Sequence, residues 1–267
     1  MKKIIGIGLA SGALAGAAAF AYSRIQVAPL IAEAIGYEED RAHALAELTG
    51  EHSHSHELFT RAVQENVGAG VGVIGYGVVL GALFAVAYAV LTSGTARNRL
   101  EPRWAALGLS VVALVSVSLV PFLVFPANPP GVGQEETSAQ RTTSYLALLI
   151  ISVLTAAVLA AVVRRYSPRV GTWPAAVAAG WAYAGVIAVA AALMPRVQEV
   201  PAAVTDGTGS IVFPGFPAEL LYEFRLHSVL TATVMWLVLG TVFGAALHRW
   251  QPTAAQATPQ EVLRAAH

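Results

Sequence analysis

Six long apolar stretches dominate this sequence of 267 residues. Each approaches or exceeds the roughly 20 residues that an α-helix needs to cross the hydrocarbon core of a bilayer. The polar–apolar alternation of a barrel strand is absent, and a spanning helix satisfies its own backbone hydrogen bonds. The sequence therefore predicts an all-α integral membrane bundle with spans near residues 4–23, 67–91, 104–125, 145–163, 173–194 and 226–247.

The first stretch has a second interpretation. Met1-Lys2-Lys3, the apolar run and the small residues of Ala19-Phe20-Ala21 together resemble a secretory signal peptide. The apolar pattern nevertheless continues past that point to Ile31, as it would in an uncleaved helix. We expect six transmembrane helices, and five if this segment is removed.

The charges of the connecting segments predict the orientation. Ten of the sixteen basic residues fall in the N-terminus, the second loop, the fourth loop and the tail, whereas fourteen of the sixteen acidic residues fall in the other three loops. By the positive-inside rule, both termini are cytoplasmic. We expect a polytopic membrane domain over residues 1–249, with an outer His-rich loop at 24–66, and a short disordered cytoplasmic tail at 250–267. The ten basic residues are Lys2, Lys3, Arg97, Arg99, Arg103, Arg164, Arg165, Arg169, Arg249 and Arg264.

Composition excludes several classes of function. The formal net charge is zero, so no basic field attracts nucleic acid. There are no cysteines, so a metal site must use histidine, carboxylate, carbonyl or water. The sequence has no Walker A, HExxH or GxSxG motif and no evident nucleophile–base pair. We therefore expect neither an enzyme nor a built-in cofactor.

The segment Glu51-His52-Ser53-His54-Ser55-His56-Glu57 is the sharpest candidate for chemistry. In an extended chain its three histidines point to one side, whereas in a helix His52 and His56 share a face and His54 leaves it. Either geometry offers at least two imidazoles beside carboxylates, which suits Co²⁺, Ni²⁺, Zn²⁺ or Cu²⁺. We predict a metal-capture site at Glu51, His52, His54 and His56. A solvated loop is the alternative, and His43 is a weaker further ligand.

The second apolar stretch is rich in glycine. Gly70-Val71-Gly72-Val73-Ile74-Gly75 fits the G-x-G-x-x-G pattern, but no strand precedes it, so a dinucleotide site is not expected. The pairs Gly68/Gly72 and Gly77/Gly81 instead predict close packing against another helix.

A third candidate lies where the last loop leads into the sixth span. Glu219, Glu223 and His227 are spaced i, i+4 and i+8, so a helix stacks them on one face. Ionisable groups at membrane depth are costly and usually functional. We interpret these residues, with Asn66 at the start of the second span, as a candidate pathway entrance. The alternatives are a cap for Asn66 and solvation in the headgroup region for the two glutamates.

Three segments resemble the CbtA family of predicted cobalt transporter subunits. They are the histidine segment 51–57, Phe125-Pro126-Ala127-Asn128-Pro129-Pro130 after the third span, and Phe216-Pro217-Ala218-Glu219 with the residues that follow to Leu226. With the arrangement of spans, the resemblance covers nearly the whole chain. It implies a bacterial inner-membrane protein that supplies cobalt for cobalamin synthesis beside a small single-span partner with a histidine-rich end.

Two hypotheses follow from different classes of protein. The first is a membrane subunit of a divalent metal transporter, with cobalt as the cargo. The second is a scaffold or metal-sensing receptor that binds a partner and transports nothing. Accumulation of metal inside a closed vesicle distinguishes them, because a scaffold binds the ion without moving it.

Overall fold

The computed structural model describes residues 2–50, 68–93, 101–195 and 199–250. Within these ranges the chain is predominantly helical. The helices are α1 (Lys2–Gln26), α2 (Ala28–Thr49), α3 (Ala69–Leu91), α4 (Pro102–Ala113), a π-helix (Leu114–Leu119), α5 (Val120–Val124), α6 (Glu135–Val170), α7 (Thr172–Leu193) and α8 (Ala218–Trp250). The strands β1 (Val204–Thr205) and β2 (Ile211–Phe213) form a short antiparallel hairpin.

Six helical segments in the described ranges are long and apolar enough to cross a membrane, which confirms the predicted all-α membrane bundle. They are Lys2–Gln26, Ala69–Leu91, Pro102–Val124, Glu136–Val170, Thr172–Leu193 and Ala218–Arg249. The fourth and the sixth are longer than the spans predicted at 145–163 and 226–247. The charged residues at Arg164-Arg165 end an apolar run but not the helix, because arginine is itself a good helix former.

A helix occupies part of the segment 24–66, which was predicted to be an outer loop. α2 follows α1 after a single turn residue, Val27. Pro29 lies in the first turn of α2 and lacks the N–H that would continue the hydrogen-bond ladder of α1, which accounts for the break. The buried residues Leu30, Ala34 and Tyr37 recur at helical spacing, so α2 has one packed face. Hydropathy alone did not separate this amphipathic helix from a loop.

The third span contains an irregular turn in the membrane. Its π-helix frees backbone groups from the usual ladder, and the Ser152 hydroxyl of α6 donates a hydrogen bond of 2.7 Å to the carbonyl of Ser116. The same hydroxyl lies 2.7 Å from the Tyr183 hydroxyl of α7. This polar contact joins three helices inside an apolar cluster that includes Val120, Leu148 and Ala190.

The hairpin β1–β2 was not anticipated, because two strands of two and three residues carry little hydropathy signal. Its turn is organised by Asp206, whose carboxylate accepts hydrogen bonds from the backbone and hydroxyl of Thr208 and from the backbone of Ser210. These bonds favour the charged form and lower the pKa of Asp206.

The chain divides into two compact units. One comprises residues 1–21, 61–111 and 233–267, and the other comprises 22–60 and 112–232. In the first unit, the Phe243 ring is fully buried and meets Phe84 and Tyr88 edge-on, with centroids 5.2 Å apart in each pair. The second unit has a further core, which is enclosed by α2, the start of α8 and the segment that precedes α8. Its buried members are Val27, Leu30, Ala34, Tyr37, Val132, Phe216, Leu220, Leu221 and Phe224.

Glycines bring α1 and α3 into close contact within the first unit. A Cβ added at Gly77 would lie 2.8 Å from the Cα of Gly16, and one at Gly12 would lie 2.9 Å from the Cα of Gly81. Only glycine permits this approach, so the predicted packing role of Gly77 and Gly81 is confirmed. Gly72 has no neighbour within 4 Å of such a Cβ, so this half of the Gly68/Gly72 pair does not pack as expected.

Candidate functional site

The predicted metal-capture residues lie outside the residues that the structure describes. Glu51, His52, His54 and His56 fall in the segment 51–67, as does Asn66. The metal-capture site and the role of Asn66 therefore remain predictions. His43, the weaker further ligand, is exposed on α2.

The structure places the other three predicted residues on the first turns of α8. Glu219 is exposed, whereas Glu223 and His227 are partly buried. The helix begins at Ala218, eight residues before the predicted span, so the i, i+4 and i+8 spacing is realised on a continuous helix. In the described part of the chain, no group of three or more His, Asp or Glu residues lies close enough together to hold a metal ion. Glu219, Glu223 and His227 therefore lie along one helix as separate groups and do not form a closed metal site.

His227 makes a specific contact with α1. Its Nδ1 lies 2.8 Å from the Tyr22 hydroxyl, and the two ring centroids are 6.0 Å apart. When Nδ1 carries the hydrogen, it donates to the phenol and leaves Nε2 unprotonated, which is the form that ligates a metal. When Tyr22 donates, Nε2 carries the hydrogen instead. The direction of this hydrogen bond and the nitrogen of His227 that is free for a metal are therefore linked.

Two segments that carry the family resemblance meet in the structure. The Arg225 guanidinium donates from Nη2 to the Asn128 side-chain oxygen at 2.9 Å and from Nε to the Ala127 carbonyl at 3.4 Å. The segment 126–133 is irregular, and it contains Gly131 with a positive φ of 75°. Arg225 therefore holds the Pro-Ala-Asn-Pro-Pro segment against the start of α8.

α2 contacts the segment that leads into α8. The Tyr37 hydroxyl donates to the Pro214 carbonyl at 3.0 Å, and its ring packs edge-on against Phe216 with centroids 4.8 Å apart. Burial raises the pKa of Tyr37, and the charge of Arg41 only partly opposes that shift, so the phenol stays protonated and can donate.

Glu199 is a buried charge that sequence reasoning missed. Only 2% of its side chain is exposed, and it accepts hydrogen bonds from Arg141 and from the Thr137 hydroxyl, both on α6. A buried carboxylate is costly unless it is paired, and Arg141 supplies the pairing. No local pattern indicates this pairing, because Arg141 and Thr137 lie 58 and 62 positions away from Glu199 in the chain.

These features define a multi-pass helical membrane protein. The family model of CbtA, described as a probable cobalt transporter subunit, matches residues 1–248. The chain belongs to this family. No curated protein and no solved structure gives a significant match to it.

Membership of this family indicates a transporter subunit, with cobalt as its probable ion and a further subunit as its partner. The apolar helices place the chain in the lipid bilayer. The resemblance noted from the sequence is therefore confirmed at the level of the family.

Proposed function

We propose that this chain is the membrane-embedded subunit through which a bacterial cell takes up Co²⁺ for cobalamin synthesis. The family match supports the cobalt assignment. The observation that carries the route is His227, an imidazole within a candidate span whose Nδ1 contacts the Tyr22 hydroxyl. Ionisable groups in such positions usually belong to a substrate pathway.

The first step of the proposed cycle is capture outside the cell. Glu51, His52, His54 and His56 supply nitrogen and oxygen ligands that bind divalent cobalt. Affinity alone does not select cobalt, because copper binds such ligands more strongly in the Irving–Williams order. Selectivity therefore belongs to a later step with a more restricted geometry.

The second step passes the ion towards α8. Asn66, Glu219 and Glu223 form the entrance in this proposal, and His227 is the first imidazole beyond it. Glu219 is exposed, Glu223 is partly buried and His227 is held by Tyr22, so the series leads from an exposed carboxylate to a positioned ligand.

The transporter also needs its second subunit. By the family resemblance, we propose a small single-span membrane protein with a histidine-rich end. Both subunits reside in the inner membrane in this proposal, with the two termini of the present chain in the cytoplasm.

Cobalt accumulation in right-side-out membrane vesicles tests the route, with the complete transporter present. We expect Tyr22→Phe to lower the maximal uptake rate by about tenfold, as for residues that orient a metal-ligating histidine, and His227→Gln to lower it more. His248→Gln is the matched control, because it removes another histidine near the opposite end of the same helix. It should leave the rate unchanged.

The same assay separates transport from the alternative function. Binding of cobalt to the vesicle surface without accumulation inside contradicts transport and supports a scaffold or metal-sensing receptor. Full uptake by the His227→Gln variant instead shows that α8 does not contribute this ligand to the route.

A further inference from the structure

A cavity of about 460 Å³ opens beside the contact between Arg225 and Asn128. Arg141, Glu199 and Arg225 supply its charged lining, and all lie in the second unit. The cavity is separate from Tyr22 and His227, which do not line it. It is large enough to hold a small polar group.

The charges of this lining do not balance. Glu199 is already paired with Arg141. Arg225 donates only to two neutral oxygens, the Asn128 amide and the Ala127 carbonyl, and no carboxylate among the described residues forms an ion pair with it. Among the described residues, the Arg225 guanidinium therefore faces the cavity without a counter-charge, and several of its five N–H donors remain for a ligand. This arrangement favours an anion and disfavours a metal cation.

The apolar part of the lining indicates where the anion comes from. Val124, Phe125 and Pro126 form this wall at the end of the third span. Arg225 itself lies seven residues into the last span, which is about 10 Å along a helix axis. A guanidinium beside an apolar wall at the end of a membrane span matches the two parts of a phospholipid, since the phosphate meets the arginine and the chains meet the wall.

We propose that this cavity binds the phosphate group of an anionic phospholipid, with Arg225 as its principal ligand. The guanidinium offers two parallel N–H donors to phosphate oxygens, a geometry that a lysine ammonium lacks. Arg141 stays paired with Glu199, so the two together add no net charge to the site. The site is independent of the cobalt route, so either proposal can fail without the other.

Native mass spectrometry of the full-length chain, purified in neutral detergent and stripped of lipid, tests this site. The probes are phosphatidylglycerol, phosphatidylcholine and inorganic phosphate. We expect phosphatidylglycerol to bind more tightly than phosphatidylcholine by about fivefold or more, the effect of one favourable basic contact at a membrane surface. Arg225→Gln should abolish the preference, and Arg225→Lys should retain part of it. Arg169→Gln, which removes an exposed arginine of α6, should retain all of it.

Equal affinity of the unmodified chain for the two lipids overturns the proposal, whether or not any variant folds. An unchanged preference in Arg225→Gln also overturns it, provided that the variant melts at the wild-type temperature. Inorganic phosphate that binds the wild-type chain without any preference for phosphatidylglycerol identifies a free anion as the ligand and excludes the lipid.

Discussion

His227 is distinguished from the other described histidines by its environment. His43 is exposed on α2 and His248 lies in the last turn of α8, whereas His227 is held by the Tyr22 hydroxyl at 2.8 Å. A positioned imidazole loses less entropy on metal binding than a freely rotating one. At the scale of the residue, the proposed route therefore combines a capture segment that contains three histidines with one oriented histidine, His227.

The predicted capture segment, residues 51–57, can be tested by substitution of its histidines. Replacing His52, His54 and His56 together by alanine should raise the half-saturation concentration for cobalt uptake and leave the maximal rate nearly unchanged. Capture by the wild-type segment should also weaken as the pH falls below about 6.5, because ligation needs unprotonated imidazoles. The measurement is initial uptake rate against cobalt concentration at several pH values.

Replacing Ser53 and Ser55 by alanine provides the control, since it changes the same segment without removing a nitrogen ligand. Unchanged uptake by the histidine variant at every cobalt concentration means that the segment is an idle loop. Complete loss at saturating cobalt means instead that these histidines belong to the obligatory route.

At the scale of the element, the α1–α3 contact depends on glycines at specific positions. Gly12 and Gly16 of α1 face Gly77 and Gly81 of α3 so closely that an added Cβ would lie within 3.0 Å of backbone atoms of the other helix. Backbone cannot move aside as a flexible side chain can. The contact therefore fixes the distance between the two helices.

The contact between α1 and α3 predicts that a glycine-to-alanine substitution affects stability differently at two positions of α3. Gly77→Ala should destabilise the protein by about 1–3 kcal/mol, the usual cost of overpacking. Gly72→Ala meets no atom within 4 Å and should leave stability unchanged or slightly raised, because alanine is the better helix former. The thermal midpoint of the full-length chain in detergent measures the difference, and equal midpoints contradict the close contact.

At the scale of the whole molecule, the six candidate spans of the described residues predict that the two ends of the membrane domain lie on the same side of the membrane. The basic residues that flank these spans predict that this side is the cytoplasm. The second unit gathers the irregular segment 126–133, the hairpin and the start of α8. These segments belong to the three loops that the charge distribution assigns to the outside.

Reporter fusions check this topology. A fluorescent protein fused after His267 should fluoresce and alkaline phosphatase at the same position should be inactive, because the first matures and the second fails to fold in the cytoplasm. Phosphatase inserted after Gly133 should be active and serves as the positive control. Phosphatase activity at the C-terminus contradicts the six-span arrangement and favours five uncleaved spans.

Sequence alone predicted the spans, because hydropathy is a local property and each span carries its own signal. It also predicted that Gly77 and Gly81 would pack, since small residues four apart favour close approach. It did not predict α2 or the hairpin. The apolar content of α2 is too low to stand out, and the strands of the hairpin are too short. The family could be named from three short segments, and the match over residues 1–248 confirms it.

Only the tertiary structure decided which distant residues meet. Arg225 with Asn128, Glu199 with Arg141 and Tyr22 with His227 are separated by 97, 58 and 205 positions. A spanning helix is apolar towards lipid and towards its neighbours alike, so its sequence does not mark the face that will be covered. For the same reason Gly72 and Gly77 look equivalent in the sequence, and the packing of α1 distinguishes them. The partners of buried polar groups follow from the arrangement of helices, which no local pattern encodes.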